Sequence, residues 1–518
     1  MDYLDNSEIN YGIEDRASEI LKKYKEAQNI KDYWKDKFEE AYEYCLPNRE
    51  SFYEEAPGQK RTDKIFDETA VVGVQEFASR LQAGITPTFA RWADFQAGSE
   101  IPQELKPNIN LQLDKITDYV FQLLQQSNFN QEIHESFMDL AIGTGVMLVE
   151  EGDAINPIKF TAVPLTRVCL NTGPDGMIDS VYRTRYCKAH EIKILYPKAV
   201  LPENFDPLRN KNKIKIIEAV YKIHEENVEK YKMCIVMENP KHILYEEMFT
   251  GEGSNPYLVF RWNKASGEVY GRGPVFNAMS AIKTCNLTIE LILQNAQMSV
   301  SGVYTYEDDG VINPDNISLV PGSLIPVAPG SRGLLPIQSA SNFDVAQLVL
   351  NDMRTNIKKA LYMEALGRPE GTPMTATEVS ERMADLSRQI GSSFGRLQSE
   401  LITPLLKRII RILSKQGRID IPKVNGREVK IAPRSPLAQA QHMQDVSDVT
   451  RFNEIIAANF GPQMINLIVD QNETAKYLAE KMNLPEKLIR NEEEQQELVR
   501  RLQQMQTTPE GGEAPPGA

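Results

Sequence analysis

Residues with the types and spacing for chemistry are sparse in this chain. No phosphate-binding GxxxxGK[ST], zinc-protease HExxH or nucleophile-elbow GxSxG occurs. The five histidines, His134, His190, His224, His242 and His442, have no metal-ligand spacing, and the carboxylates form no marked cluster. Five cysteines, Cys45, Cys169, Cys187, Cys234 and Cys285, are widely spaced without a CxxC. They imply reduced thiols and a reducing cytoplasm rather than a disulfide framework. Two short glycine motifs stand out, GTG at 143–145 and GRG at 271–273. Neither completes a dinucleotide fingerprint, so turns or close packing explain them better than phosphate binding. The remaining candidates are basic: Lys283, Lys358, Lys359 and Arg368. Singly these are solvated helix faces; together, lining a passage, they are phosphate contacts that hold nucleic acid without reading its sequence. The composition therefore points away from an enzyme, and no cofactor or metal is called for.

Two helices carry those lysines. PVFNAMSAIKTCNLTIELILQNAQMSV (274–300) opens on Pro274, which suits a first helical turn. FDVAQLVLNDMRTNIKKALYM (343–363) follows an insert dense in Gly, Pro, Asn and Ser. The pair predicts a helical hairpin with short strands and tight turns at its tip. After the loop EALGRPEGTPM comes a long helix, with Thr375 and Glu378 at capping-box spacing. Met383, Leu386, Ile390, Phe394, Leu397 and Leu401 form its single apolar stripe. Pro404 is expected to kink it, and LLKRIIRIL beyond the kink to lie in a core.

The elements that position this hairpin lie on both sides. Ile20, Tyr24, Ala27, Ile30, Trp34, Phe38, Ala41 and Tyr42 mark an amphipathic first helix, ended by Pro47. Further helices are expected from near Asp67 to Pro87, over INLQLDKITDYVFQLLQQS and over NQEIHESFMDLAIG. VMLVEE, IKFTAV, DSVYRTRYC, IIEAVYKIH, YKMCIVME and YLVFRWN then predict strands of one antiparallel, mostly sequential sheet. IPKVNGREVKIAP reads as a short hairpin. The segment from Pro436 to about Arg501 is helical in pieces, with breaks near Gly461, Asp470 and Pro485. TTPEGGEAPPGA cannot bury a core and is expected to be disordered. The 518 residues suggest about three structural units. The 41% hydrophobic and 25% charged residues suit a folded chain with ample core material, and the helices flanking strands predict an α+β, mainly helical fold class. The acidic N-terminus has no signal-peptide core, and no apolar run reaches the ~20 residues of a membrane helix. A net charge of −14 argues against a surface that grips nucleic acid throughout.

An ordered series of segments carries a family resemblance: IFDETAVVGVQEFASRLQAGITPTFARWADF with Asp67, Thr86, Pro87 and Trp92, SNFNQEIHESFMDLAIGTGVMLVEE, FTAVPL, EVYGRGPVFNAM, TATEVSERM, GRLQSELITPLLKRIIRIL, SPLAQAQ and LPEKLIRNEEE. Over residues 15 to 500 the chain resembles portal, or head-to-tail connecting, proteins of short-tailed, podovirus-type double-stranded DNA phages. That resemblance implies a ring, usually a dodecamer, around a channel at one capsid vertex of the virion, assembled in the host cytoplasm. It implies a wing (1–273), a first stem helix (274–300), a clip (301–341), a second stem helix (342–363), a tunnel loop (364–374), a long kinked helix returning to the wing (375–435), a crown (436–503) and a disordered tail (504–518). Gly367, Pro369, Gly371 and Pro373 fall in the tunnel loop. The implied partners are further copies of the chain, the terminase large subunit, tail adaptor proteins, capsid and scaffolding proteins, and double-stranded DNA passing non-specifically, with no membrane span. Two other classes stay open on the residues alone: an acidic helical intracellular adaptor without a channel, and a nucleic-acid enzyme with a divergent site.

Overall fold

A computed structural model describes residues 6–53, 64–98, 101–102, 105–202, 205, 212–224, 229–301, 304–305, 335–336, 343–363, 391–420, 429–433, 436–461 and 468–481. Helix α1 (Asn6–Cys45) serves two cores. Its C-terminal half buries Phe38, Ala41, Tyr42 and Cys45 in the main core. Its N-terminal half lays Ala17, Ile20, Leu21, Tyr24 and Ala27 on a β-sheet. The helix starts ten residues before Arg16, through an acidic stretch whose carboxylates suit a helix N-terminus.

The main core gathers α2 (Thr69–Ile85), α3 (Lys106–Gln126) and α4 (Phe129–Ile142). Each contributes residues at three-and-four spacing, such as Val74, Phe77, Ala78 and Leu81 of α2. Complete burial of one such large side chain is worth roughly 1.5–3 kcal/mol. The strands between Thr144 and Arg261 form two sheets rather than the single one expected. In the first, β2 (Thr144–Glu151) lies between β3 (Ile158–Ala162) and β9 (Tyr257–Arg261), all antiparallel. In the second, β4 (Val168–Thr172), β5 (Ile178–Lys188), β6 (Lys213–Ile223), β7 (Lys230–Met237) and β8 (His242–Thr250) follow in chain order, also antiparallel. The split comes because β9 returns to β2 instead of extending past β8. A short helix α5 (Ile192–Leu195) sits between β5 and β6.

Helices α6 (Pro274–Ser301) and α7 (Phe343–Ala360) follow, with β10 (Tyr304–Thr305) and β11 (Leu335–Pro336) paired antiparallel between them. Next comes one rod in three parts: α8 (Gly391–Leu397), a π-helical turn (Gln398–Ile402) and α9 (Thr403–Lys415). The kink expected at Pro404 is realised as this widened turn, which relieves the clash of the proline ring with the turn before it. Phe394, Leu397, Leu401, Leu405, Leu406, Ile409, Ile412 and Leu413 are buried, as the stripe required. The widened turn carries Glu400 into the interior. There it receives Arg261 Nη2 at 2.6 Å, Arg261 Nε at 3.3 Å and the Arg261 backbone N–H at 2.9 Å.

The first part of the expected short hairpin, 421–428, lies outside the described residues. Strand β12 (Val429–Pro433) pairs with β1 (Ala93–Ala97), far away in sequence. Helices α10 (Pro436–Phe460) and α11 (Gln471–Lys481) complete the described chain, separated near Gly461 and Asp470 as expected. Thr375, Glu378, Met383, Leu386, Ile390 and the expected break at Pro485 lie outside the described residues.

Candidate functional site

The α6–α7 pair is an antiparallel hairpin, since Asn286 of α6 and Arg354 of α7 meet at one point while β10 and β11 join the other ends. Leu350, Ile357 and Leu361 of the second arm and Ile282 and Cys285 of the first are buried. Its observed arms, 274–301 and 343–360 with a turn to Met363, match the expected helices within a few residues.

Three clamps hold the foot of the hairpin. The first is Asp67, just before α2. Its Oδ2 accepts from Arg354 Nε at 2.8 Å and Nη2 at 2.7 Å, and its Oδ1 accepts from the Thr69 backbone at 2.8 Å. Asn286 Oδ1 accepts from the backbone N–H groups of Phe66 at 2.7 Å and Asp67 at 3.0 Å. One carboxylate and one amide thereby tie α2 to both arms. Burial alone would raise the Asp67 pKa, but the bonds from Thr69 and Arg354 outweigh it and hold the carboxyl below its ordinary value. Burial, reinforced by Asp67, pushes the neighbouring Cys285 thiol up to about 11.

The second clamp is the glycine knot where the first arm begins. A Cβ on Gly271 would lie 2.3 Å from the Gly143 carbonyl oxygen, and one on Gly273 2.1 Å from that of Ala141. The Trp262 N–H donates to Gly143 O at 2.9 Å, Gly273 N–H to Ile142 O at 2.8 Å, and Gly271 N–H to Thr144 Oγ1 at 2.9 Å. The GTG and GRG motifs are thus halves of one close-packed junction, as the packing reading expected.

The third clamp fixes the end of the second arm. Leu361 presses on Gly73, where a Cβ would lie 2.5 Å from its Cδ1. Tyr362 takes a left-handed backbone (φ 56°), rare for a bulky residue. Its ring is held beside Trp262 and Phe77, at centroid distances of 5.8 and 6.5 Å. Arg80 donates to the Met363 carbonyl.

The predicted basic residues separate. Lys283 pairs with Glu40 of α1, so its charge is answered within the subunit. Lys358 and Lys359 stand exposed in the last turn of α7. Arg368, Gly367, Pro369, Gly371 and Pro373 lie outside the described residues. Above the foot the hairpin exposes large aliphatic side chains: Leu287 at 56%, Leu291 at 55%, Leu293 at 53% and Leu348 at 66%. Sequence reasoning missed Arg354 and Asn286; only Asp67, standing ahead of an apolar-periodic helix, carried a signal. Among the described residues no group of three or more His, Cys, Asp or Glu could hold a metal ion, and no helix is long and apolar enough to cross a membrane.

The sequence model of a family described as "Bacteriophage head to tail connecting protein" matches residues 17–489. A probable portal protein of Bordetella phage BPP-1 is 21% identical over 508 residues, covering 91% of this chain and 88% of the relative. The portal protein of Salmonella phage epsilon15 is 21% identical over 443 residues, covering 80% of this chain and 78% of the relative. Among solved structures, a chain of the virion of native gene transfer agent (GTA) particle aligns with a TM-score of 0.36 at 14% identity, over 82% of this chain and 94% of that one.

Proposed function

Because the chain belongs to the bacteriophage head-to-tail connecting protein family, we propose that it closes into a ring at one capsid vertex through which double-stranded DNA is packaged and ejected. The observation that supports a ring is the clamped hairpin. Leu287 and Leu291, one helical turn apart, remain more than half exposed in a single subunit. Exposed leucines on an arm held in three places suit a repeated neighbour. Identical subunits joined head to tail close into a ring when their rotation sums to a full turn.

In this reading residues 1–273 form the wing, the two arms the stem, 301–341 the clip, 364–374 the tunnel loop, 375–435 the return to the wing and 436–503 the crown. The clip docks the terminase large subunit and later the tail adaptor, while capsid and scaffolding proteins surround the ring. The role is structural rather than catalytic, with ATP hydrolysis supplied by the partner. Twelve subunits at −14 each would carry 12 × −14 = −168 formal charges. An acidic bore leaves phosphates no deep trap, and Lys358, Lys359 and Arg368 are the candidates to steady the duplex. Lys283, already paired with Glu40, is the weakest of the four.

Native mass with negative-stain images tests the ring. The expected particle is 12 × 58.6 kDa, about 703 kDa, with a central hole wide enough for a duplex. A monodisperse 58.6 kDa monomer that never assembles, even with scaffolding protein present, would overturn the proposal.

A further inference from the structure

Helix α1 covers only part of one face of the five-stranded sheet. It packs over Cys169, Ile217, Ala219 and Val236, and Tyr24 shares a hydrogen bond with Thr184 of β5 at 3.2 Å. Side chains two apart on a strand share a face. Tyr186 and Lys188, next in step beyond Thr184, therefore stand on the α1 side of the sheet. So do Lys215 and Lys213, which precede Ile217 in the same step. The ladder joins them in two rows, Tyr186 opposite Lys215 and Lys188 opposite Lys213.

The inner row is anchored. Lys215 Nζ lies 5.1 Å from the Tyr24 ring centre and 3.1 Å from Glu238 Oε1. Arg167, beside Tyr186, is likewise answered by Glu50 at 2.7 Å. The outer row is not answered. Lys188 and Lys213 are exposed, and neither ammonium has a carboxylate partner among the described residues. Glu191 accepts from the Lys188 backbone N–H at 2.9 Å. Like charges directly opposite each other repel across a ladder, so this pair weakens the subunit that carries it. On a chain of net charge −14, two unanswered lysines held face to face serve an anion rather than the fold.

The surroundings decide which anion. Of the side chains on this face beyond α1, the large exposed one is Tyr186, at 57%, and it carries a hydroxyl. The exposed aliphatics of this end, Ile194 and Val200, belong to the segment that covers Ile214 and Ile216 on the other face. An acidic protein segment needs an apolar anchor, because exposed ion pairs alone contribute little. A phosphate backbone needs only positive charge and hydroxyl or amide donors. Lys213 and Lys215 are about 7 Å apart along their strand, and Lys188 is about 5 Å across from Lys213. We infer that Tyr186, Lys188, Lys213 and Lys215 form a sequence-independent contact for the phosphate backbone of double-stranded DNA, separate from the hairpin lysines. This rests on the duplex reading above and adds a contact to it.

The test is binding of a fluorescent, random-sequence duplex to the assembled full chain over a range of salt. The melting temperature of the unassembled subunit is the control. Lys188→Gln with Lys213→Gln is expected to weaken binding roughly tenfold or more at about 50 mM salt. It should also flatten the slope of log affinity against log salt by about 1.8, at about 0.9 for each phosphate contact. Because a like-charged pair is removed, the melting temperature should hold or rise. Tyr186→Phe, which drops only the hydroxyl, should weaken binding about threefold without changing the slope. Should the double variant fail to fold, Lys213→Gln alone keeps the test, with about half the change in slope. Equal affinity and slope in wild type and the lysine variants overturn this site and leave the ring and its hairpin contacts standing. Wild-type rings that hold no duplex at low salt overturn the duplex reading and this site with it. Variants that bind duplex as wild type but form fewer rings would mark the lysines as a contact for an acidic protein surface, and equally overturn the phosphate site.

Discussion

Glu400 offers the sharpest test of how the widened helical turn is held. Arg261 is 1% and Glu400 9% exposed, so neither charge has water to fall back on. In Glu400→Ala the guanidinium keeps only the Val269 carbonyl at 3.3 Å, and the Arg261 backbone N–H loses its acceptor. Stranding one half of a buried pair costs about 3–5 kcal/mol, and an orphaned buried N–H adds about 1–3 kcal/mol. Relaxation is shared between them, so the expected loss is about 4–6 kcal/mol. Glu400→Gln keeps the shape and an acceptor but not the charge, for a loss of about 1.5–3 kcal/mol. Arg261→Met with Glu400→Gln removes both charges and keeps the acceptor for the backbone, so the pair should be less harmful than Glu400→Ala alone. The assay is urea unfolding of the unassembled subunit, followed by tryptophan emission with Trp262 next to Arg261. A loss under about 1 kcal/mol in Glu400→Ala, or a double variant as damaged as the alanine, would refute the account of a buried charge held by its partner.

Gly271→Ala should cost more than about 3 kcal/mol or abolish soluble protein, because its Cβ meets backbone at 2.3 Å; Gly395→Ala, with nothing within 4 Å, should stabilise by about 0.5–1 kcal/mol in the same assay. Asp139 accepts from Tyr42 Oη at 2.7 Å and Arg49 Nη1 at 2.8 Å, and burial, against the pull of Arg49, pushes its pKa up to about 6. Between roughly pH 4 and 6 the folded chain holds a proton that the unfolded chain has lost, so this residue's contribution rises as pH falls through 6 and is complete near 4. A stability profile from pH 7 to 4 should show that rise, on the order of 2–3 kcal/mol, and Asp139→Asn should flatten it. Asp67, with its pKa lowered, works the other way: its contribution is present above about pH 4 and is lost as pH falls further. Lys358→Ala with Lys359→Ala should weaken duplex retention by assembled particles and reduce its salt dependence; unchanged packaging and retention would remove both residues from the DNA path.

The helices were legible because their burial follows a period of three to four, as in Ile20, Tyr24, Ala27 and Phe38 of α1 or Phe394, Leu397 and Leu401 of the rod. Strands with clear alternation were legible too. The strand Val168–Thr172 was hidden behind a short segment, and His242–Thr250 by the two glutamates and histidine that an edge position tolerates. Whether strands share one sheet or two depends on which neighbour each reaches, and periodicity carries no such information. The clamps of the hairpin were the least legible. Asn286 and Arg354 look like ordinary polar positions on apolar helices until Asp67 is brought between them. Glu400 looks like part of a solvated face until the extra residue of the π-turn rotates it inward.

The pairing of Ala93–Ala97 with Val429–Pro433 bears on how the protein is made. At about 5–20 residues per second, a ribosome finishes the first strand tens of seconds before the second exists. Until then Ala93–Ala97 lacks that ladder, and the structure built around it is provisional. A chain broken off before Pro433 can therefore never complete this fold. Synthesis itself then acts as a checkpoint, withholding a finished subunit until nearly all of the described chain has emerged.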